Sequence, residues 1–155
     1  MQRVANIKRH IHFILVIVIL LVGIFVRVYD FGRTPYGLNQ DEASLGYDAW
    51  ADMTYGMDRN GDHNSIYPVA WGSGQNVLYN YVARPFIAIF GLNIVSVRLP
   101  MLLFGIATMI VFFLFCRRLF GDNMALVALF ILATCPWHIV LSRWGLESNF
   151  AVPVI

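Results

Sequence analysis

Three long apolar runs, His12–Val26, Leu99–Cys116 and Met124–Leu141, constrain this chain more than any other feature. The second and third hold 18 residues each. At about 1.5 Å per residue, a helix of that length nearly crosses a hydrocarbon core about 30 Å thick. A backbone in lipid must satisfy its own polar groups, so such runs read as helices. Only 13% of the residues are charged, against about 25% in a soluble domain, which argues against a soluble core. The expected fold is an all-α polytopic membrane protein. Its three transmembrane helices fall at about 11–29, 97–116 and 124–142, and a fourth begins at Ala151-Val152-Pro153-Val154-Ile155.

Lys8-Arg9-His10 before the first run also fits a cleaved signal peptide. No small-x-small cleavage site follows, and the chain continues Arg27-Val28-Tyr29-Asp30, so the run is read as an uncleaved anchor. Gly121-Asp122-Asn123 reads as a tight turn, which makes the second and third helices antiparallel neighbours. Val77–Phe90 is also apolar but short, and Arg84-Pro85 interrupts it; a charge at the bilayer centre costs several kcal/mol. If that segment spanned, Arg117 and Arg118 would lie outside, against the positive-inside tendency. If it lies along the surface, they join Arg3, Lys8 and Arg9 on the cytoplasmic side. Val77–Phe90 is therefore placed as a juxtamembrane amphipathic helix, and residues 30–96 form one long outside loop. Residues 1–155 make one transmembrane unit with a cytoplasmic N-terminus. Cys116 and Cys135 lie within apolar runs and read as small buried hydrophobes.

A net charge of +2 is too small to argue for nucleic acid, but its distribution is informative. Asp30, Asp41, Glu42, Asp48, Asp52, Asp58 and Asp62 all fall in the outside loop, among aromatic residues that disordered segments lack. A helical pattern runs from Asp41 to about Tyr55, with Ala43, Tyr47, Trp50 and Met53 or Thr54 on one face. Ser44 or Leu45, Asp48 and Asp52 take the other, read as a solvated face. Asp41 stands where an N-cap would, with Glu42 in the first turn. Capping is one use for Asp41. The other is a general base or a divalent-cation ligand at the membrane face, where partial desolvation raises a carboxyl pKa toward the useful range. Asp58-Arg59-Asn60-Gly61-Asp62 imitates a calcium loop, but His63 and Val69 stand where that motif needs Gly and Glu, so it reads as a turn.

Arg59, Arg84, Arg98 and Arg143 are four arginines placed to meet an anionic group near the outer surface. Lipid headgroups explain them simply; a dedicated phosphate site is the sharper use, because a guanidinium fork suits phosphate oxygens. His138 reads as an interfacial residue, and Glu147 sits one helical turn after Arg143.

The order of these features carries a resemblance. Arg27-Val28-Tyr29 leads to Pro35-x-Gly37-Leu38-Asn39-x-Asp41-Glu42-Ala43-x-x-Gly46-Tyr47-Asp48-Ala49, then Pro68 and Leu78-Tyr79-x-Tyr81. Phe90-Gly91-Leu92-Asn93-x-x-Ser96-Val97-Arg98-Leu99-Pro100, Pro136-Trp137-His138 and Ser142-Arg143-x-Gly145-Leu146-Glu147 follow. The set resembles the N-terminal part of the polyprenyl-phosphate-sugar-dependent glycosyltransferases of the membrane GT-C fold. Protein O-mannosyltransferases and the lipid A aminoarabinose transferase belong to that group.

The resemblance implies an inverting transfer at the outer face, from a polyprenyl-phosphate-linked sugar to an acceptor hydroxyl. It implies Asp41, with Glu42 beside it, as the catalytic acidic position, and Glu147 as a second acidic site position. Arg98, Arg143 and Arg84 become candidates for binding the donor. No cofactor is implied with certainty, a divalent cation stays open, and the acceptor is unspecified. The implied setting is a bacterial or archaeal cell membrane. Related enzymes place a Lys before the Leu-Tyr-x-Tyr helix, where this chain has Gln75-Asn76-Val77. Members also continue for several hundred residues, so activity is not expected of these 155 alone. The rival is a non-catalytic multi-pass membrane protein, a scaffold or flippase-like subunit, in which Asp41 is only a cap. A transporter ranks lower, because transporters place ionisable residues near the midplane and these cluster at span ends.

Overall fold

The computed structural model describes residues 2–63, 69–70, 72–74, 77–146 and 148–149. Along the chain lie α1 (Gln2–Val28), α2 (Gln40–Tyr55), β1 (Val69–Ala70), β2 (Ser73–Gly74), α3 (Val77–Phe90), α4 (Ile94–Phe120), α5 (Asp122–Thr134) and α6 (Pro136–Leu141). β1 and β2 pair antiparallel, Val69 with Gly74 and Ala70 with Ser73. Among the described residues the other regular elements are helices, with an isolated antiparallel bridge between Met57 and His63.

α4 organises everything else because it is long enough to serve two cores. Its first two turns supply Val97 and Met101, which pack against Leu45 and Ala49 of α2 and Tyr79, Ala83 and Ile87 of α3. Its remainder supplies Met109, Phe113 and Cys116, which pack against Val16 of α1 and Ala125, Leu129 and Ala133 of α5. Gly121 alone joins α4 to α5, so the two run antiparallel, as the turn signal indicated. The outward faces stay apolar: Phe13, Val18, Leu21 and Phe25 on α1, Val111, Leu114 and Phe115 on α4, and Val127, Phe130 and Ile131 on α5 are all exposed. An apolar patch of that extent suits lipid rather than water.

Among the described residues two helices reach membrane-crossing length, Asn6–Val28 and Ile94–Phe120. Both extend past the expected span limits, α1 back to Gln2 and α4 from Ile94 to Phe120. The third apolar run differs more. It was expected as one helix over Met124–Leu141, and it breaks at Cys135 into α5 and α6. Cys135 is extended (φ −64°, ψ 114°) because it precedes Pro136, whose ring disfavours helical backbone in the residue before it. The 13 residues of α5 cover roughly 20 Å at about 1.5 Å each, short of a bilayer. Residues 151–155, where a fourth span was expected to begin, lie outside the described residues.

The break is tied to α1. Arg27, fully buried, donates to Gly23 O (2.8 Å), to Ala133 O (3.0 Å) and Leu132 O (3.2 Å), and its Nη2 lies 2.7 Å from His138 Nδ1. It thereby donates to carbonyls in the last turn of α5, of which Leu132 O also accepts from the Cys135 N–H at 3.4 Å. His138, expected as a lone interfacial side chain, is part of this cluster.

Candidate functional site

The loop helix α2 differs from expectation in two ways that define the site. First, its N-cap is Asn39, not Asp41. Glu42, three residues on, reaches back to accept from the Asn39 backbone N–H at 3.1 Å, the N3 half of a capping box. Second, the acidic face is the inner one. Glu42, Ser44, Leu45, Asp48 and Ala49 are buried, while Ala43 and Tyr47 are exposed. Asp48 was expected to face water. Arg59 reverses this, gripping Asp48 with Nε (2.9 Å) and Nη2 (2.7 Å) and also bonding Ser44 O (2.7 Å) and Ser44 Oγ. Arg84 does the same for Asp52 while its Nε donates to Asn80 Oδ1 and its guanidinium lies 3.9 Å from the Tyr81 ring centroid. A carboxylate paired with a guanidinium can be buried where an unpaired one cannot.

Glu42 sits at the centre of the deepest such arrangement. Arg98 Nε donates to Glu42 Oε1 and Arg98 Nη2 to Glu42 Oε2, both at 2.8 Å, with side chains 1% and 0% exposed. Arg98 also donates to Pro35 O (2.8 Å) and Gly37 O (2.6 Å), fixing the strand of loop that enters α2. The Gly145 backbone N–H donates to Glu42 Oε1 at 2.7 Å from the far side. Glu42 thus accepts four hydrogen bonds, and Arg98 spends its donors on the carboxylate and two carbonyls.

Tyr79 closes the base of this cluster. It is fully buried, and its hydroxyl donates to Val97 O at 2.7 Å. Burial first, and the Glu42 charge second, push its pKa up, so the hydroxyl stays a neutral donor. Arg143 anchors the turn before Gly145 to the end of α1, through Val26 O (3.3 Å) and Asp30 O (3.0 Å).

Asp41 stands apart. It lies in the first turn of α2, exposed, and makes no hydrogen bond or ion pair among the described residues. Its neighbour Glu42 carries the structural load, and Asn39 carries the cap. The Asp41 carboxylate is thereby left open to solvent, at a helix end tied down by the Glu42–Arg98 ion pair. The Asp58–Asp62 segment is a turn, as expected: Asp58 Oδ1 accepts from the backbone N–H groups of Asn60 (2.8 Å) and Asp62 (3.0 Å). Among the described residues no three His, Cys, Asp or Glu side chains converge as a metal site.

Of the residues singled out from the sequence, Glu42, Arg98 and the turn after Arg143 come together. Arg84 belongs to a separate pair at the other end of α2. Glu147 lies outside the described residues. Sequence reasoning did not single out Asn39, Tyr79 or Gly145 for the site. The Asn39-x-x-Glu42 spacing signals a capping box, and was the available clue for the first.

Compared with known proteins, residues 75–154 match a family model described as dolichyl-phosphate-mannose-protein mannosyltransferase. No curated protein and no solved structure matches the chain.

Proposed function

We propose a function from one premise: the chain belongs to the dolichyl-phosphate-mannose-protein mannosyltransferase family, a family of membrane glycosyltransferases. The reaction is an inverting transfer at the outer face of the membrane, with the N-terminus cytoplasmic. Asp41 takes the proton of an acceptor hydroxyl as that oxygen attacks the anomeric carbon of a polyprenyl-phosphate-linked sugar. The bond between that carbon and the phosphate oxygen breaks, and the polyprenyl phosphate leaves with the electron pair. The observation that carries this reading is the contrast between adjacent carboxylates: Glu42 is buried with four donors, and Asp41 is exposed with none among the described residues.

In this scheme Glu42 and Arg98 position Asp41 rather than touch substrate. Both are buried, and Arg98 is too fully engaged to turn toward a phosphate. Arg143 is similarly drawn to backbone carbonyls. Arg84 pairs with Asp52, eleven residues beyond Asp41, or about 16 Å along a helix rising about 1.5 Å per residue. A phosphate whose glycosidic bond breaks beside Asp41 lies closer than that. Arg59 fits better. It is held to Asp48 and Ser44 through Nε and Nη2, which leaves Nη1 without a partner among the described residues, and Ser44 lies one turn from Asp41 along α2. Arg59 is accordingly the proposed contact for the donor phosphate, and Glu147 is retained as a second acidic residue of the acceptor or donor site.

The test is Asp41→Asn in the full-length protein, with sugar transfer and unfolding measured on the same preparation. Loss of a general base costs about 10²–10⁴-fold in rate. A variant that folds normally and transfers normally defeats the assignment.

A further inference from the structure

We propose that Gly145 is a positioning residue for the transfer, acting through Glu42 and seated on the Tyr79 hydroxyl; this rests on the reading of Asp41 as the base. Three observations converge on the position. The Gly145 N–H supplies one of the four hydrogen bonds to Glu42, the residue next to Asp41. A Cβ at 145 would lie 2.9 Å from Tyr79 Oη, 3.1 Å from Val97 O and 3.3 Å from Glu42 Oε1. None of those atoms can retreat easily, since Tyr79 is fully buried, its hydroxyl is bonded to Val97 O, and Glu42 is locked against Arg98.

The turn is also tethered on its other side, through Arg143 to the end of α1. It therefore joins the end of the first span, the Asp41-Glu42 motif, α3 through Tyr79, and α4 through Val97. Any side chain at 145 pushes the turn off Tyr79 and stretches the bond to Glu42. The carboxylate loses one of its four donors, and the first turn of α2 shifts with it. The absence of a Cβ is what lets these four segments meet.

The experiment compares Gly145→Ala and Tyr79→Phe with the double variant Gly145→Ala/Tyr79→Phe in the full-length protein, using dolichyl-phosphate mannose as the donor. A displacement of about 1 Å at a reacting group costs on the order of 10²-fold in rate. Gly145→Ala is expected to lower kcat by that order while KM for the donor stays within about twofold. The double variant deletes the offending oxygen and is expected to recover about tenfold or more of the loss. Thermal unfolding of both single variants and the double gives a readout independent of transfer, and the midpoints are expected to be non-additive. Additive midpoints, or a double variant no faster than Gly145→Ala, overturn the proposal. So does a rise in KM with kcat unchanged, which would place Gly145 in donor binding. Asp41→Asn measured alongside separates the two claims: if it still transfers while the midpoints couple, the base assignment fails and the Gly145–Tyr79 contact stands.

Discussion

Glu42→Gln removes one charge from the buried cluster while keeping its shape. Glu42 and Arg98 are 0% and 1% exposed, so no water compensates the arginine left behind. Breaking a buried ion pair by removing one partner costs about 3–5 kcal/mol. The glutamine oxygen can still accept from two of the donors, but its NH₂ must face either the Gly145 N–H and Arg98 Nε or the Asn39 N–H and Arg98 Nη2. Because half the contacts survive, the lower end applies, about 3 kcal/mol. At about 2–4 °C per kcal/mol, the unfolding midpoint should fall by roughly 6–12 °C. Asp122→Asn is the internal control. Its partner Arg117 is joined by a contact of 2.6 Å, shorter than either bond from Arg98 to Glu42, but the pair is 55% and 56% exposed and carries little stability. Thermal unfolding of the purified protein in detergent measures both. If Glu42→Gln moves the midpoint no more than Asp122→Asn, the ion pair is not what fixes the start of α2.

Gly105→Ala should destabilise through crowding, since a Cβ there would run into the Ser142 Cβ where α4 meets the end of α6. Overpacking of this kind costs about 1–3 kcal/mol, and a midpoint unchanged from the parent would contradict the close approach of these segments. Topology is tested by cysteines at two exposed sites, Asp62→Cys and Asn123→Cys, with Cys116 and Cys135 replaced by serine. A membrane-impermeant thiol reagent is expected to label position 62 from outside intact cells, and position 123 only after permeabilisation. The opposite pattern would reverse the orientation on which the outer-face reaction depends.

The apolar runs announced their helices because periodicity and length are written residue by residue. Their limits were less legible. Pro136 sat in plain view in the third run, yet its effect depended on whether the helix could tolerate a break, and Arg27 from a distant segment supplies the donors that accommodate one. The face of α2 was inverted for a similar reason. Asp48 and Asp52 look solvated until Arg59 and Arg84, 11 and 32 residues away, come round to pair them. Glu42 and Arg98 were each singled out from the sequence, but their union spans 56 positions, and no local pattern encodes it. Gly145 is the extreme case, because its importance is the room it leaves for Tyr79, and a missing atom has no signature of its own.

In the proposed reaction the adjacent carboxylates divide the work, Asp41 for chemistry and Glu42 for architecture. The most direct measurement places Asp41→Asn and Glu42→Gln side by side in the full-length protein, reading transfer rate and unfolding midpoint on each. Asp41→Asn is expected to keep the parent midpoint and lose about 10²-fold or more in rate, whereas Glu42→Gln loses stability by about 3 kcal/mol. An Asp41→Asn variant that transfers at the parent rate, or one that loses stability as Glu42→Gln does, would contradict this division.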